Sequence, residues 1–293
     1  MPSPCTFSSL PEDILYEILA ICLTPMRFLE GYRGRWSGDP RCSHLLRVSR
    51  RWHRVGGPLL YKYLRSKTRE DMKAINQVFL SNPRLGLAVR NLRLEGWMGR
   101  ELRQIVSHCP NIKSLCIYRA TMKAADSVAG LRQILPLMTV DHLYYDRRRW
   151  RGPNKTEREL QKIVQGAMTE SWTSLKAVTF TDTDEHLDDA MLESLQRLPN
   201  LRQISVSASE IQSLLDRGRF GILSKITSLT SIQCLGQLQE KKIRNTFVEK
   251  RVPAELSGIV SFITTQHDLH MRLMLDDFLD SEDDSQVPAK GDE

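Results

Sequence analysis

The sequence predicts an α/β protein in two parts: a three-helix module over residues 9–66, then a solenoid of parallel strands backed by helices over residues 89–240. Three observations lead there. Within Leu10–Leu64, apolar residues recur at helical spacing around short breaks. From Val89 onward a different pattern takes over, apolar at i, i+3 and i+5, returning after 23, 28, 35, 26 and 28 residues. Helix-like segments separate these strand signatures, and strands alternating with helices imply a parallel sheet.

In the first part, Ser9 and Glu12 stand in the S-x-x-E relation of a capping box, which satisfies the free amides of a helix start. Pro11 is tolerated there because first-turn amides have no helical partner. Ile14, Leu15, Ile18, Leu19 and Cys22 fall on one stripe, with Glu12, Asp13 and Glu17 off it. Leu45, Val48, Trp52 and Val55 then repeat at helical spacing, with Arg47, Arg50, Arg51 and Arg54 between them. Gly56 and Gly57 are expected to stop this second helix, and Pro58 to open a third carrying Leu59, Leu60, Tyr63 and Leu64. Three short helices cannot bury all of this apolar surface among themselves, so part of it should face a partner.

The run LPEDILYEIL followed by LLRVSRRWHRVGGPLLYKYL resembles an F-box of the style common among fungal F-box proteins. The resemblance covers about a fifth of the chain and rests on its Leu-Pro, Val-Ser-Arg-x-Trp and Pro-Leu-Leu-Tyr elements. It implies a module that docks on the Skp-type linker of SCF ubiquitin ligases, and through it on the cullin, while the rest of the chain recognises a protein substrate. Carried over by position, the linker-binding residues are Leu10, Pro11, Ile14, Leu15, Ile18, Leu45, Val48 and Trp52. The segment Thr24–Cys42 is longer than the family's usual connection between its first two helices. The competing reading is that the same stripe packs against the domain that follows.

Hydrophobic residues make up 41% of the chain and charged residues 26%, the balance of an ordinary soluble globular protein. The net charge of +7 is uneven, with Arg-rich segments at 27–69 and 147–158 and an acidic C-terminus. The six cysteines are scattered, without C-x-x-C pairs, so a reducing compartment, cytoplasm or nucleus, is expected. No secretory signal is expected, because the first residues lack a basic start and a long apolar run, and the apolar run Ile18–Leu23 is far too short to span a membrane.

Residues 67–88 read as a connector helix with Met72, Ile75, Val78 and Phe79 at helical spacing, ended by Asn82-Pro83. The strand triplets are Val89-Leu92-Leu94, Ile112-Leu115-Ile117, Val140-Leu143-Tyr145, Leu175-Val178-Phe180, Leu201-Ile204-Val206 and Leu229-Ile232-Cys234. Composition alone yields such a triplet at roughly 7% of positions, so the recurrence carries the weight. Two triplets follow near-identical phrases, Cys109-Pro-Asn-Ile and Leu198-Pro-Asn-Leu, and the long spacing contains an insertion at Arg147–Lys155. Helical segments are expected at Arg100–Cys109, Thr156–Met168, Leu187–Leu198 and Glu210–Leu215. The period and pattern resemble the irregular leucine-rich repeats that often follow a fungal F-box, although the Asn or Cys usual after the strand is mostly missing. Residues 241–278 read as one or two capping helices, and 279–293 as a disordered acidic tail.

No enzyme motif is present: no Gly-rich phosphate loop, no G-x-S-x-G, no H-E-x-x-H. Neither a metal nor a cofactor is expected, since Cys42-Ser-His44 and His108-Cys109 give no zinc spacing. The acidic cluster Asp182–Asp189 reads as a solvated loop capping the next helix. The resemblance implies a non-catalytic adaptor. Its substrate is expected at Arg93, Tyr118 and Tyr144, on the concave side of the strands, and at the insertion residues Arg147, Arg148, Arg149, Trp150 and Arg151. The alternative is a nucleic-acid or acidic-ligand binder using the Arg-rich loops; no second aromatic-basic strip accompanies the insertion to support it.

Overall fold

The structure, a computed structural model, describes residues 10–23, 40–95, 100–118, 128–146, 155–180, 187–235, 240–249, 252 and 254–263. The chain begins with three helices, α1 (Glu12–Leu23), α2 (Pro40–Leu45) and α3 (Arg50–Tyr61). Their boundaries differ from the expected ones. Ser49 breaks the second expected helix by capping α3, its Oγ accepting from the Trp52 amide at 3.2 Å. From there α3 runs on through Gly56, Gly57 and Pro58 without stopping. Packing explains the first of these residues. A Cβ on Gly56 would lie 2.4 Å from a Leu46 methyl and 3.2 Å from methyls of Leu19 and Leu23, so only glycine lets α3 approach its neighbours this closely. Leu15, Leu19, Ala20, Leu23, Leu46 and Leu59 form the module's small core, with Leu45, Trp52 and Val55 packed against it.

The larger part of the chain is α/β. Eight strands form one sheet whose spatial order is their chain order, with every neighbouring pair parallel. They are β1 (Tyr63–Ser66), β2 (Asn91–Leu94), β3 (Ser114–Tyr118), β4 (His142–Asp146), β5 (Ala177–Phe180), β6 (Gln203–Ser207), β7 (Ser231–Leu235) and β8 (Val260–Ile263). Between them lie α4 (Arg69–Ser81), α5 (Pro83–Leu87), α6 (Arg100–His108), α7 (Ala129–Ile134), α8 (Lys155–Glu170), α9 (Asp189–Gln196), α10 (Ala208–Asp216), α11 (Glu240–Glu249) and α12 (Ala254–Gly258). Helices pack on one another in chain order, α4 on α6, α6 on α7, α7 on α8, α8 on α9 and α10 on α11, forming a second layer beside the sheet.

The middle residues of the six expected triplets stack in register. Leu92, Leu115, Leu143, Val178, Ile204 and Ile232 form one column, continued by Leu64 and Val260 at its ends. Together with the flanking triplet positions and the helices they make one continuous core. The sheet therefore begins at Tyr63, inside the segment assigned to the helical module, and ends at β8, where only capping helices were expected. Both end strands escape the triplet pattern for a local reason: β1 has Ser66 at the third apolar position, and β8 has Ser257 at the first. The connector helix α4 is part of the array, with Met72 and Phe79 fully buried in the main core. Thr68 and Asp71 close its start as a capping box.

The Pro-Asn phrases also find a physical role. Asn111 Nδ2 donates to the Leu87 carbonyl at 2.9 Å and Asn200 Nδ2 to the Thr173 carbonyl at 2.8 Å, each tying its repeat to the preceding one. Ser174 and Ser228, at the equivalent places, donate to the carbonyls of Val140 and Leu201. The stitching side chains thus precede the strands rather than follow them. Asp188, from the acidic cluster, caps α9 by accepting from the Met191 amide at 2.8 Å; Asp182–Glu185 lie outside the described residues.

Candidate functional site

Helix α1 has two apolar faces. At 100° per residue, Ile14, Ile18 and Ile21 share one narrow arc, and Leu15, Leu19 and Leu23 share another about 130° away. The second set fills the module's core, with Leu15 and Leu19 at 0% exposure. The first set is left in water: Ile14 is 46% exposed, Ile18 37% and Ile21 74%. Val48, in the turn between α2 and α3, adds 62% exposure, and Pro11 is exposed at the helix start. Together Ile14, Ile18, Ile21 and Val48 leave the equivalent of about two full side chains in solvent, worth roughly 3–6 kcal/mol if covered.

The basic residues of α3 hold this face in place. Arg51 donates from its guanidinium to the Leu10 carbonyl, and Arg54 pairs with Glu12 in the first turn of α1. Arg51 Nε also lies 3.7 Å from the Glu12 carboxylate. A carboxylate at a helix start already favours the dipole. The two arginines fix it further and anchor the Leu10-Pro11 entry against α3. Ser9, the other half of the expected capping box, lies outside the described residues.

The eight expected linker-binding residues divide accordingly. Pro11, Ile14, Ile18 and Val48 are exposed; Leu10, Leu45 and Trp52 are half-buried, the last two against the module's core. Leu15 is fully buried and cannot touch a partner without unfolding the module. Ile21, which the sequence reading passed over, is the most exposed member of the stripe. Its signal was present, since 14, 18 and 21 stand at i, i+4 and i+7.

No family model matches the chain. A search of curated proteins finds no match either.

The expected substrate residues fare differently. Arg93 and Tyr144, placed on the concave row, are buried to 5% and 4% exposure. Arg93 Nε donates to Glu95 Oε1 at 2.7 Å, and Arg65 donates to the other carboxylate oxygen at 2.5 Å. The Arg93 guanidinium also lies over the ring of half-buried Tyr118, 4.9 Å from its centroid. A cation neutralised this way spends its charge inside the fold, so Arg93 is a structural residue rather than a substrate anchor. Asn91, Ser114, Thr179 and Ser205 along the same strands are buried too, with Ser205 Oγ donating to Gln233 Oε1 at 3.0 Å, while His142, Gln203 and Ser207 are half-buried. Arg147, Arg148, Arg149, Trp150 and Arg151 lie outside the described residues. Among the described residues, no group of three or more His, Cys, Asp and Glu side chains is placed to hold a metal, and no helix is long and apolar enough to cross a membrane.

Proposed function

We propose that the chain is a non-catalytic adaptor of an SCF-type ubiquitin ligase, docking to the Skp-type linker through its helical module and presenting a protein substrate on its α/β part. One observation carries this reading: the module completes its own core yet leaves Ile14, Ile18 and Ile21 in water along α1, and Val48 in water in the turn before α3. These lie in the segment that resembles an F-box, where a linker-docking face is needed. The chain-ordered parallel sheet supports the second half of the reading, because it suits the irregular leucine-rich repeats that such a box commonly precedes. Proximity is the mechanism. Tethering raises the local concentration of substrate lysines near the loaded conjugating enzyme, and no residue of this chain needs to take part in bond making. The test is to mix the full chain with purified Skp-type linker and resolve the products by size-exclusion chromatography with light scattering. The proposal expects a one-to-one complex at micromolar concentration; two separate species would overturn it.

A further inference from the structure

A second surface runs along the entry edge of the sheet. The residue just before each of the strands β1 to β6 occupies an equivalent place: Lys62, Arg90, Lys113, Asp141, Lys176 and Arg202. Their main chains form a continuous ladder. The Arg90 amide donates to the Lys62 carbonyl at 3.0 Å; the same bond joins Lys113 to Arg90, Asp141 to Lys113, Lys176 to Asp141 and Arg202 to Lys176, each at 2.8 Å. Neighbouring strands lie about 4.8 Å apart, so the six positions form a row about 24 Å long. Lys113, Lys176 and Arg202 are exposed, and Lys62 and Arg90 half-buried. Asp141 is the row's single acid. It is 8% exposed and flanked by both lysines, with Lys113 Nζ at 3.7 Å and Lys176 Nζ at 3.6 Å from its carboxylate.

We infer that this row is a docking strip for an extended acidic segment of a partner protein. Five cations against one acid gather on one edge of the sheet, where their charge acts together rather than spread over the surface as the chain's net +7 is. An extended peptide places alternate side chains about 6.7 Å apart, a spacing that flexible lysines and arginines one strand apart can follow. The choice of a peptide over a nucleic acid rests on what borders the row. The residues two positions before its members, Leu60, Ala88, Asn111, Thr139, Ser174 and Asn200, include no aromatic; of the two tyrosines flanking Lys62, Tyr61 packs its ring on Phe79 and Tyr63 is buried, so neither offers a free stacking face. Single-stranded nucleic acids need such stacking platforms. Asp141 then has a distinct role: it holds Lys113 and Lys176 partly neutralised and so limits how tightly an acidic segment can bind.

The inference is independent of the ligase reading, because its test needs no linker. A fluorescent decaglutamate peptide is titrated with the full chain at low ionic strength, and binding is read by anisotropy. Arg90→Gln with Arg202→Gln should weaken binding about five-fold, as loss of two surface charge contacts, one half-buried and one exposed, does. Asp141→Asn should have the opposite effect, tightening binding about three-fold by releasing both lysines. Lys113→Gln with Lys176→Gln provides a second loss-of-charge pair, at exposed positions, should Asp141→Asn melt early. Equal affinity of both loss-of-charge pairs and the wild-type chain would overturn the assignment. So would no binding by the wild-type chain, or tighter binding of an oligothymidylate of equal charge.

Discussion

Replacing Ile14 and Ile21 by Gln separates the docking face from the module's core. Both residues are largely in water, at 46% and 74% exposure, and glutamine is at least as good a helix former as isoleucine. Stability should therefore stay within about 0.5 kcal/mol of wild type. If a linker covers the face, the two side chains forfeit burial of slightly more than one full isoleucine, about 2–3 kcal/mol, or about thirty- to 150-fold in Kd. Calorimetric titration of the Skp-type linker measures the second quantity and a thermal melt the first. Leu15→Ala is the contrasting variant: at 0% exposure it should cost about 2–5 kcal/mol of stability in a core this small, whatever the linker does. Unchanged linker affinity in the Ile14/Ile21 variant would refute the docking argument. A large loss of its stability would show instead that the stripe is covered within the chain.

Two glycines one residue apart should respond oppositely to alanine. Gly56→Ala drives a Cβ to 2.4 Å from Leu46 and should destabilise by about 1–3 kcal/mol, while Gly57→Ala meets nothing within 4 Å and should stabilise by about 0.5–1 kcal/mol; denaturant melts of both decide it. Glu95→Gln leaves Arg65 and Arg93 without the carboxylate they share and should cost about 3 kcal/mol in the same assay. Burial pushes the Cys109 thiol up to about 12, so its folded pKa lies above its ordinary value of 9.0. Its contribution to stability is thus complete below pH 9 and is lost as pH rises through the window from there to about 12, so melts across that range should fall more steeply for the wild type than for Cys109→Ala. At neutral pH, thiol labelling of the native chain should mark exposed Cys22 and spare buried Cys109, Cys116 and Cys234 until denaturant is added.

Where burial dictates residue type, the letters were readable. The column through Leu92 and Ile232 had to be apolar because the sheet covers one of its faces with helices, and its periodicity placed six strands correctly. Helices α6, α8, α9 and α10 were visible for the same reason. Where two distant segments meet, local rules misled. Gly56-Gly57-Pro58 has the composition of a helix stop, yet the close approach of Leu46 overrides it and α3 continues. Arg93 read as a free cation although Glu95 stands two residues on, on the same face of the strand; only the pairing of β1 with β2, which brings Arg65 to the same carboxylate, shows the group closed. The exposed stripe of α1 was half legible: Ile14 and Ile18 were singled out, but Leu15 falls inward and Ile21 outward, a distinction set by where α3 lies rather than by hydropathy. The basic row was in plain sight, one charged residue before each of six strands, but its meaning depends on the register that brings those residues side by side.

Helix α3 belongs to both halves of the molecule. Leu59 lies in the small core, while Tyr61, two residues on, packs its ring against Phe79 of the main core at 5.9 Å between centroids. One residue, Lys62, then separates the helix from β1. A face mounted this way is carried by α3 straight into the first strand, so anything that gripped α1 would also set the heading of the sheet. The offset between the two surfaces is a matter of helical phase. Inserting a single residue into α3 would swing the docking face by about 100° and advance it only 1.5 Å, so aim would suffer far more than distance. An assembly that must point a bound partner at a fixed catalytic centre would tolerate changes in the loops after each strand more readily than one added residue here.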